Sequence, residues 1–334
     1  MSMYLIVSCL FLAMALPGCD PPGAAGEGND SYTAVNKLSA SQSGEIDRVL
    51  AAYLEEYRYI SVGLIGPDGT LLVRSYGSDR IGKTDVYASV SKPVTSTIFF
   101  QMLEKGEIRS VDDPISLYSD KYKDVMPEEY RNTDLTFRHL LTHQSGIPHH
   151  ERIRDHGKLR LAFEPGTLTM YSTRGYGVLG EVLCEIAGMN YNHLVRTYIG
   201  KPVGAVSFSA PSFLFEAPGG LVRSTISDMV LFAEGVMDHT YVSSTLQHDL
   251  QWIPYAQDQL GEIGMGWYLN NAGTDSLAVY HAGSNGKPRA FIALRPDQHI
   301  GVVLLGKRSG SKGSQLFYRL ALDLIQELKT FTEQ

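Results

Sequence analysis

Ser89 and Lys92 stand three residues apart, a spacing that puts a hydroxyl and an amine on one side of a helix. Serine is a poor nucleophile until a base takes its proton. Lysine can be that base only where burial lowers its pKa enough to leave some amine uncharged. Pro93 is tolerated near a helix start and not inside a helix, which places Ser89 at or beside an N-terminus. There the helix dipole favours a developing negative charge. The spacing alone is weak. Ser284/Lys287 and Ser309/Lys312 repeat it among glycines and serines in apparent loops, where nothing organises a base. Ser89 also reads as a plain N-cap serine.

Other patterns carry less. Gly175-Tyr176-Gly177-Val178-Leu179-Gly180 fits the dinucleotide fingerprint, but no clear buried strand precedes it and no βαβ unit surrounds it, so these read as helix-packing glycines. His143, His149, His150 and His156 come without a Cys ligand or a helical His pair, so no metal site is expected. His143 reads as a helix-end residue whose ring ties down the Gln144-Ser145-Gly146 turn. The Gly-x-Ser-x-Gly elbow of α/β-hydrolases is absent. Tyr171, read alone, is a half-buried aromatic after a turn, and His281 a strand-end histidine facing water. No metal or organic cofactor is implied.

The elements that must position these groups follow from periodicity. Residues 45–57 have helical spacing, with Ile46, Leu50 and Leu54 on one face. Residues 59–65 and 71–76 flank Gly66-Pro67-Asp68-Gly69, which predicts a hairpin. Short apolar runs at 264–270, 277–281, 290–294 and 300–305 predict further strands, before a helix through 316–328. Between these ends the chain is mostly helical pattern with Gly and Pro breaks. The expected fold class is α/β (α+β): an antiparallel sheet flanked by helices, closed by both chain ends, plus a helical domain. Residues 44–88 and 260–332 form the sheet part and 89–259 the helical part, with the site in the cleft between them.

Composition sets the wider frame. The 334 residues are 43% hydrophobic and 19% charged, ordinary globular values. A net charge of -7 without any Lys/Arg run disfavours nucleic acid as a partner. Residues 1–19 carry no charged side chain, and their apolar stretch has the length of a signal-peptide core. Its end at Leu16-Pro17-Gly18-Cys19 resembles a lipoprotein signal, with Cys19 lipidated and the protein membrane-anchored in the cell envelope or periplasm. Ala13-Met14-Ala15 offers the other reading, ordinary cleavage and full secretion. Residues 20–43, rich in Gly, Pro, Ser and Asn, read as a flexible tether. Of the three cysteines Cys9 leaves with the signal, and Cys184 reads as a small buried hydrophobe in a helix.

From about residue 85 the chain resembles the family of class C β-lactamases, serine-type D-Ala-D-Ala carboxypeptidases and related esterases. Tyr87-Ala88-Ser89-Val90-Ser91-Lys92-Pro93 looks like its nucleophile segment. Asp112-Asp113-Pro114, the run from Leu140 to Pro148 (LLTHQSGIP) and Pro165-Gly166 look like its later landmarks. Tyr171-Ser172-Thr173 resembles its second catalytic segment, and Gly219-Gly220-Leu221, Ser227-Asp228 and His281-Ala282-Gly283 continue the order. The resemblance implies that Ser89 is acylated with Lys92 as base, and that Tyr171 relays a proton to the leaving group. That role calls for a phenolate stabilised by nearby positive charge. It also implies two oxyanion donors, the N–H groups of Ser89 and Ser284, with Gly283, His281 and Thr173 around the substrate.

Two positions depart from the family pattern. Thr173 stands where it usually has Asn, and His281 where the lactamases have Lys, so a permanent cation becomes a titrating one. Both point away from efficient β-lactam hydrolysis. The expected activity is hydrolysis of esters or amides through acyl-Ser89, of esterase or D-amino-acid peptidase type, on small molecules or peptidoglycan-like peptides. The rival from another class is a non-catalytic envelope protein that kept the fold for binding.

Overall fold

The computed structural model describes residues 34–212, 214–309 and 316–332. The expected signal peptide, Cys19 and most of the expected tether lie outside the described residues. The strands are β1 (Val35–Asn36), β2 (Tyr57–Gly66), β3 (Gly69–Tyr76), β4 (Asp85–Val86), β5 (Arg154–Asp155), β6 (Lys158–Leu159), β7 (Arg223–Ser224), β8 (Ala256–Asp258), β9 (Gly261–Ile263), β10 (Tyr268–Asn270), β11 (Ala278–Ser284), β12 (Pro288–Arg295) and β13 (Ile300–Arg308). The helices are α1 (Ala40–Leu54), α2 (Ser91–Glu104), α3 (Phe137–Leu141), α4 (Thr173–Ala187), α5 (Tyr191–Leu194), α6 (Ala217–Gly220), α7 (Ile226–Met237), α8 (Ser244–Leu246) and α9 (Leu316–Thr332).

Nine strands form one antiparallel sheet in the order β1-β3-β2-β13-β12-β11-β10-β9-β8. The chain ends meet at its middle, where β13 pairs with β2 from Gly301↔Ile65 to Arg308↔Tyr57. Both faces are covered, so the central strands lose the polar alternation of a half-exposed sheet, and Ile60 to Ile65 are all buried. One face packs on α1 and α9 through Ile46, Leu50, Leu304, Leu320 and Leu324. The other carries the helical part, with Val303, Ile292 and Val279 against Val230, Phe99 and Tyr176. The expected hairpin, the sheet closed by both termini and the helical middle are all present.

Two boundaries move. Val35 and Asn36, expected in the tether, pair with Val73 and Leu72. Helix α1 starts at Ala40 because Ser39 and Gln42 form a capping box, each side chain meeting the other's backbone N–H. The sheet also takes in β8, ahead of the expected boundary at 260. The described residues make a single compact unit.

Candidate active site

The nucleophile segment is a tight entry into α2. Ala88 sits at φ 47°, a left-handed conformation that costs an Ala residue about 1–3 kcal/mol. Ser89 follows in a single 3-10 turn running from Ala88 to Val90. Ser91 stitches this turn in place: its hydroxyl donates to the Ala88 carbonyl at 2.6 Å and accepts from the Val222 N–H at 3.0 Å. Pro93 occupies the first turn of α2, where the missing N–H has no intrahelical partner to lose. Helix α2 is buried all round from Ser91 to Met102, so it is an interior scaffold.

Lys92 is fully buried, and its amine is within hydrogen-bond reach of three oxygens. These are Ser89 Oγ at 3.3 Å, Thr173 Oγ1 at 3.3 Å and the Gly219 carbonyl at 2.7 Å. None is a carboxylate, and burial holds its pKa well below the ordinary lysine value. A neutral amine has two N–H donors and one lone pair. In that form, donating to Gly219 and Thr173 leaves the lone pair for the Ser89 hydroxyl. Gly219 is delivered by α6, which Thr95 ties to α2 by donating to the Pro218 carbonyl at 2.5 Å.

Tyr171 closes the site from the other side. Its ring lies under Lys92, with Nζ 4.5 Å from the ring centroid. Burial pushes the phenol pKa up, and hydrogen bonding with Ser89 offsets only part of that. The expectation of a stabilised phenolate is therefore not met: burial favours the neutral phenol, and it also weakens the lysine's hold on a positive charge. The loop around Tyr171 is pinned on both flanks by His143. The Met170 N–H donates to the His143 carbonyl at 2.8 Å, and the Ser172 N–H donates to His143 Nδ1 at 3.2 Å. The His143 ring also packs on Tyr171 at 4.4 Å between centroids. His143 thus ties down the Tyr171 loop through its ring; the Gln144-Ser145-Gly146 turn assigned to it from sequence is not what its ring holds. His149 accepts from the Thr173 N–H at 3.0 Å. Neither histidine's place at this loop was readable from the sequence; His143 was legible only as part of the motif around Leu140.

Strand β11 brings its backbone onto the nucleophile. A Cβ built on Gly283 would lie 2.3 Å from the Tyr87 carbonyl oxygen and 3.2 Å from Ser89 N, so only glycine permits this approach. Ser284 follows Gly283 at the exposed end of the strand. His281 is 3% exposed, which rejects the water-facing reading. Its Nδ1 meets the Ala282 carbonyl at 2.9 Å, so Nδ1 carries the proton and Nε2 is left an acceptor. Burial, with Lys92 nearby, pushes its pKa down to about 3, so it is neutral where the sequence suggested a titrating cation. Thr173 turns its hydroxyl to Lys92, not to the open side of the cleft. The structure therefore gathers Ser89, Lys92, Tyr171, Thr173, His281 and Gly283 at one place, with Ser284 at its edge.

Two glycines of the 175–180 run allow α4 to approach its neighbours, Gly180 against α6 and Gly177 against the turn that precedes it. A Cβ on Gly177 would strike Phe215 at 2.6 Å, and one on Gly180 would strike Pro218 at 2.1 Å.

A family model described as Beta-lactamase matches residues 46–325. Among curated proteins, the D-alanyl-D-alanine-carboxypeptidase/endopeptidase AmpH of Escherichia coli (strain K12) is 23% identical over 308 residues, 74% of this chain and 79% of that protein. The Bacillus subtilis protein PbpX is 26% identical over 206 residues, 54% of this chain, and the match spans about half (50%) of that protein's length. Among solved structures, a Yersinia pestis beta-lactamase/D-alanine carboxypeptidase superposes with a TM-score of 0.71 at 19% identity, over 87% of this chain and 100% of that one. The octameric penicillin-binding protein homologue of Pyrococcus abyssi gives 0.70 at 19% identity, over 84% and 77%.

Proposed function

This chain belongs to the β-lactamase family and is of serine-hydrolase type, and from that premise we propose that it hydrolyses esters and amides that carry no carboxylate beside the reacting carbonyl, through an acyl-Ser89 intermediate. The observation that carries the reading is the fully buried amine of Lys92, its pKa lowered by burial and without a carboxylate partner, 3.3 Å from Ser89 Oγ.

The Ser89 hydroxyl gives its proton to Lys92 Nζ as Oγ bonds to the substrate carbonyl carbon. The oxyanion that forms is met by the N–H groups of Ser89 and Ser284; loss of one such donor costs about 2.7–4 kcal/mol in other enzymes. The proton on Lys92 passes through the neutral phenol of Tyr171 to the leaving oxygen or nitrogen, and the carbonyl re-forms as that bond breaks. Water then adds to acyl-Ser89, returning its proton along the same groups, and Ser89 leaves as the hydroxyl.

Substrate class follows from charge. His281 is held neutral, burial disfavours the charged form of Lys92, and Thr173 is a neutral hydroxyl turned to Lys92, so no permanent cation among these groups is offered to a substrate carboxylate. That favours simple acyl esters and amides over D-Ala-D-Ala termini and β-lactams, which carry one. Export to the cell envelope, through the signal and Cys19, belongs to the same proposal; Cys19→Ala should release the protein from membrane fractions. The test is a substrate panel of p-nitrophenyl acetate, a D-Ala-D-Ala peptide and a chromogenic cephalosporin, with a fluorophosphonate probe read by mass on the Ser89 peptide. The ester should be turned over fastest and the probe should add to Ser89. A folded protein that shows no mass shift supports the binding protein instead.

A further inference from the structure

On the sheet face away from Ser89, three side chains bring buried polar groups together without an anionic partner. Tyr57 begins β2, Arg289 lies near the start of β12 and Arg308 ends β13. A bulge between Lys307 and Arg308 shifts the register so that Arg308 pairs directly with Tyr57. Arg289 shares its face with Phe291 and Ala293, which pack on α1 and α9. The three are 4%, 8% and 4% exposed for Tyr57, Arg289 and Arg308.

Their polar atoms are unmatched. Tyr57 OH, Arg289 Nε, and Arg308 Nε and Nη2 are buried and make no hydrogen bond. Arg289 spends only Nη1, on the Gly286 and Pro288 carbonyls. Among the described residues no carboxylate forms an ion pair with either guanidinium; the Arg308 charge acts on Arg289, both act on Tyr57, and the carboxylate of Glu56 acts on Tyr57 more weakly than either. Phe317 of α9 stacks on Tyr57 with centroids 5.1 Å apart, walling the cluster from the helix side.

Water can satisfy a stranded donor, but it cannot neutralise two guanidiniums that share a buried site and cannot deprotonate. Such a pair is costly to bury unless a counter-charge joins it. Planar guanidinium forks match the oxygens of a tetrahedral oxyanion, and a dianion balances both charges at once. We propose that a small tetrahedral dianion of the phosphate or sulfate class binds between Arg289, Arg308 and Tyr57. The site ties the β11–β12 turn, through Arg289, to the last strand and to α9, and it is independent of the reaction at Ser89.

The test is the melting temperature of the whole protein in phosphate-free buffer. Sodium phosphate and sodium sulfate are each titrated against sodium chloride of equal ionic strength, with glycerol phosphate as the ester-linked form of the same group. A saturable rise with phosphate or sulfate beyond the chloride control is expected, because a ligand that binds only the folded state stabilises it. A rise with glycerol phosphate as well would mean that the anion can be the end of a larger molecule. Arg308→Met should abolish the response while melting no lower than wild type in phosphate-free buffer. Tyr57→Phe, which keeps the stacked ring, should weaken the phosphate response roughly tenfold in half-saturating concentration. A wild-type protein that responds to phosphate and sulfate no more than to chloride overturns the proposal, as does a full response in a folded Arg308→Met protein.

Discussion

At the scale of single residues, reactivity rests on the protonation of one amine. Lys92 is buried with no anion beside it, so desolvation alone decides its charge. A cation there would be stabilised only by three neutral oxygens and the faces of Tyr171 and Tyr176, 4.5 and 5.5 Å away. The native amine therefore protonates at a lower pH than a free lysine, and kcat/KM should rise with pH as it loses its proton. Tyr171, pushed the other way, should add no falling limb at neutral pH. Lys92→Met should cost about 10²–10⁴-fold in kcat, the range of a lost general base, and leave the melting temperature equal or higher, because it removes a buried ionisable group. Ser89→Ala should cost more than about 10⁴-fold with the fold intact, as read by circular dichroism and ester turnover.

At the scale of elements, the site depends on how closely segments approach. Gly283→Ala would set a methyl 2.3 Å from the Tyr87 carbonyl and push β11 off the nucleophile turn. A displacement on the order of 1 Å at reacting atoms can cost about 10²-fold, so kcat should fall by that order while substrate binding changes less. The Tyr171 loop offers a second case. His143→Ala would strand the buried Ser172 N–H, costing about 1–3 kcal/mol of stability as well as loosening Tyr171. His143→Asn, whose side-chain oxygen can accept the same bond, should recover part of both losses. Denaturant midpoints and esterase rates measured together would separate a positioning role from a purely structural one.

At the scale of the whole molecule, several buried histidines make the fold acid-sensitive. His143 is held well below its ordinary pKa by burial, His149 is pushed down to about 4 and His281 to about 3. Each is uncharged in the native protein and takes a proton near pH 6.5 when the chain unfolds. Between about pH 4 and 6.5 the unfolded state thus binds more protons, so stability falls as pH drops through that window. Unfolding near pH 5 should take up protons at these histidines, and at His139, which burial also holds below its ordinary pKa, seen as the slope of unfolding free energy against pH. His281→Asn should lower that uptake by about one. Protonation of Lys92 also removes the base, so activity should decline on the acid side as well.

How much of this was written in the chain differs by level. The hairpin around Gly66 to Gly69, the strands at both ends and the Ser89–Lys92 pair were legible because turn residues, short apolar runs and helical spacing are local properties. The capping box at Ser39 was equally local and lay in the sequence unread, hidden by the tether-like composition before it. Charge state was not legible. Whether Lys92 is a base, Tyr171 a phenol or His281 a cation depends on what surrounds each group, and those neighbours come from residues as distant as Thr173 and Gly219. His143 and His149 carry no signal that points to Tyr171, since their partners are backbone N–H groups and any residue has one. The sequence alone determined which residues can react and which elements carry them. Only the tertiary structure decided their protonation and their distances, because desolvation and close approach exist only once the chain has packed.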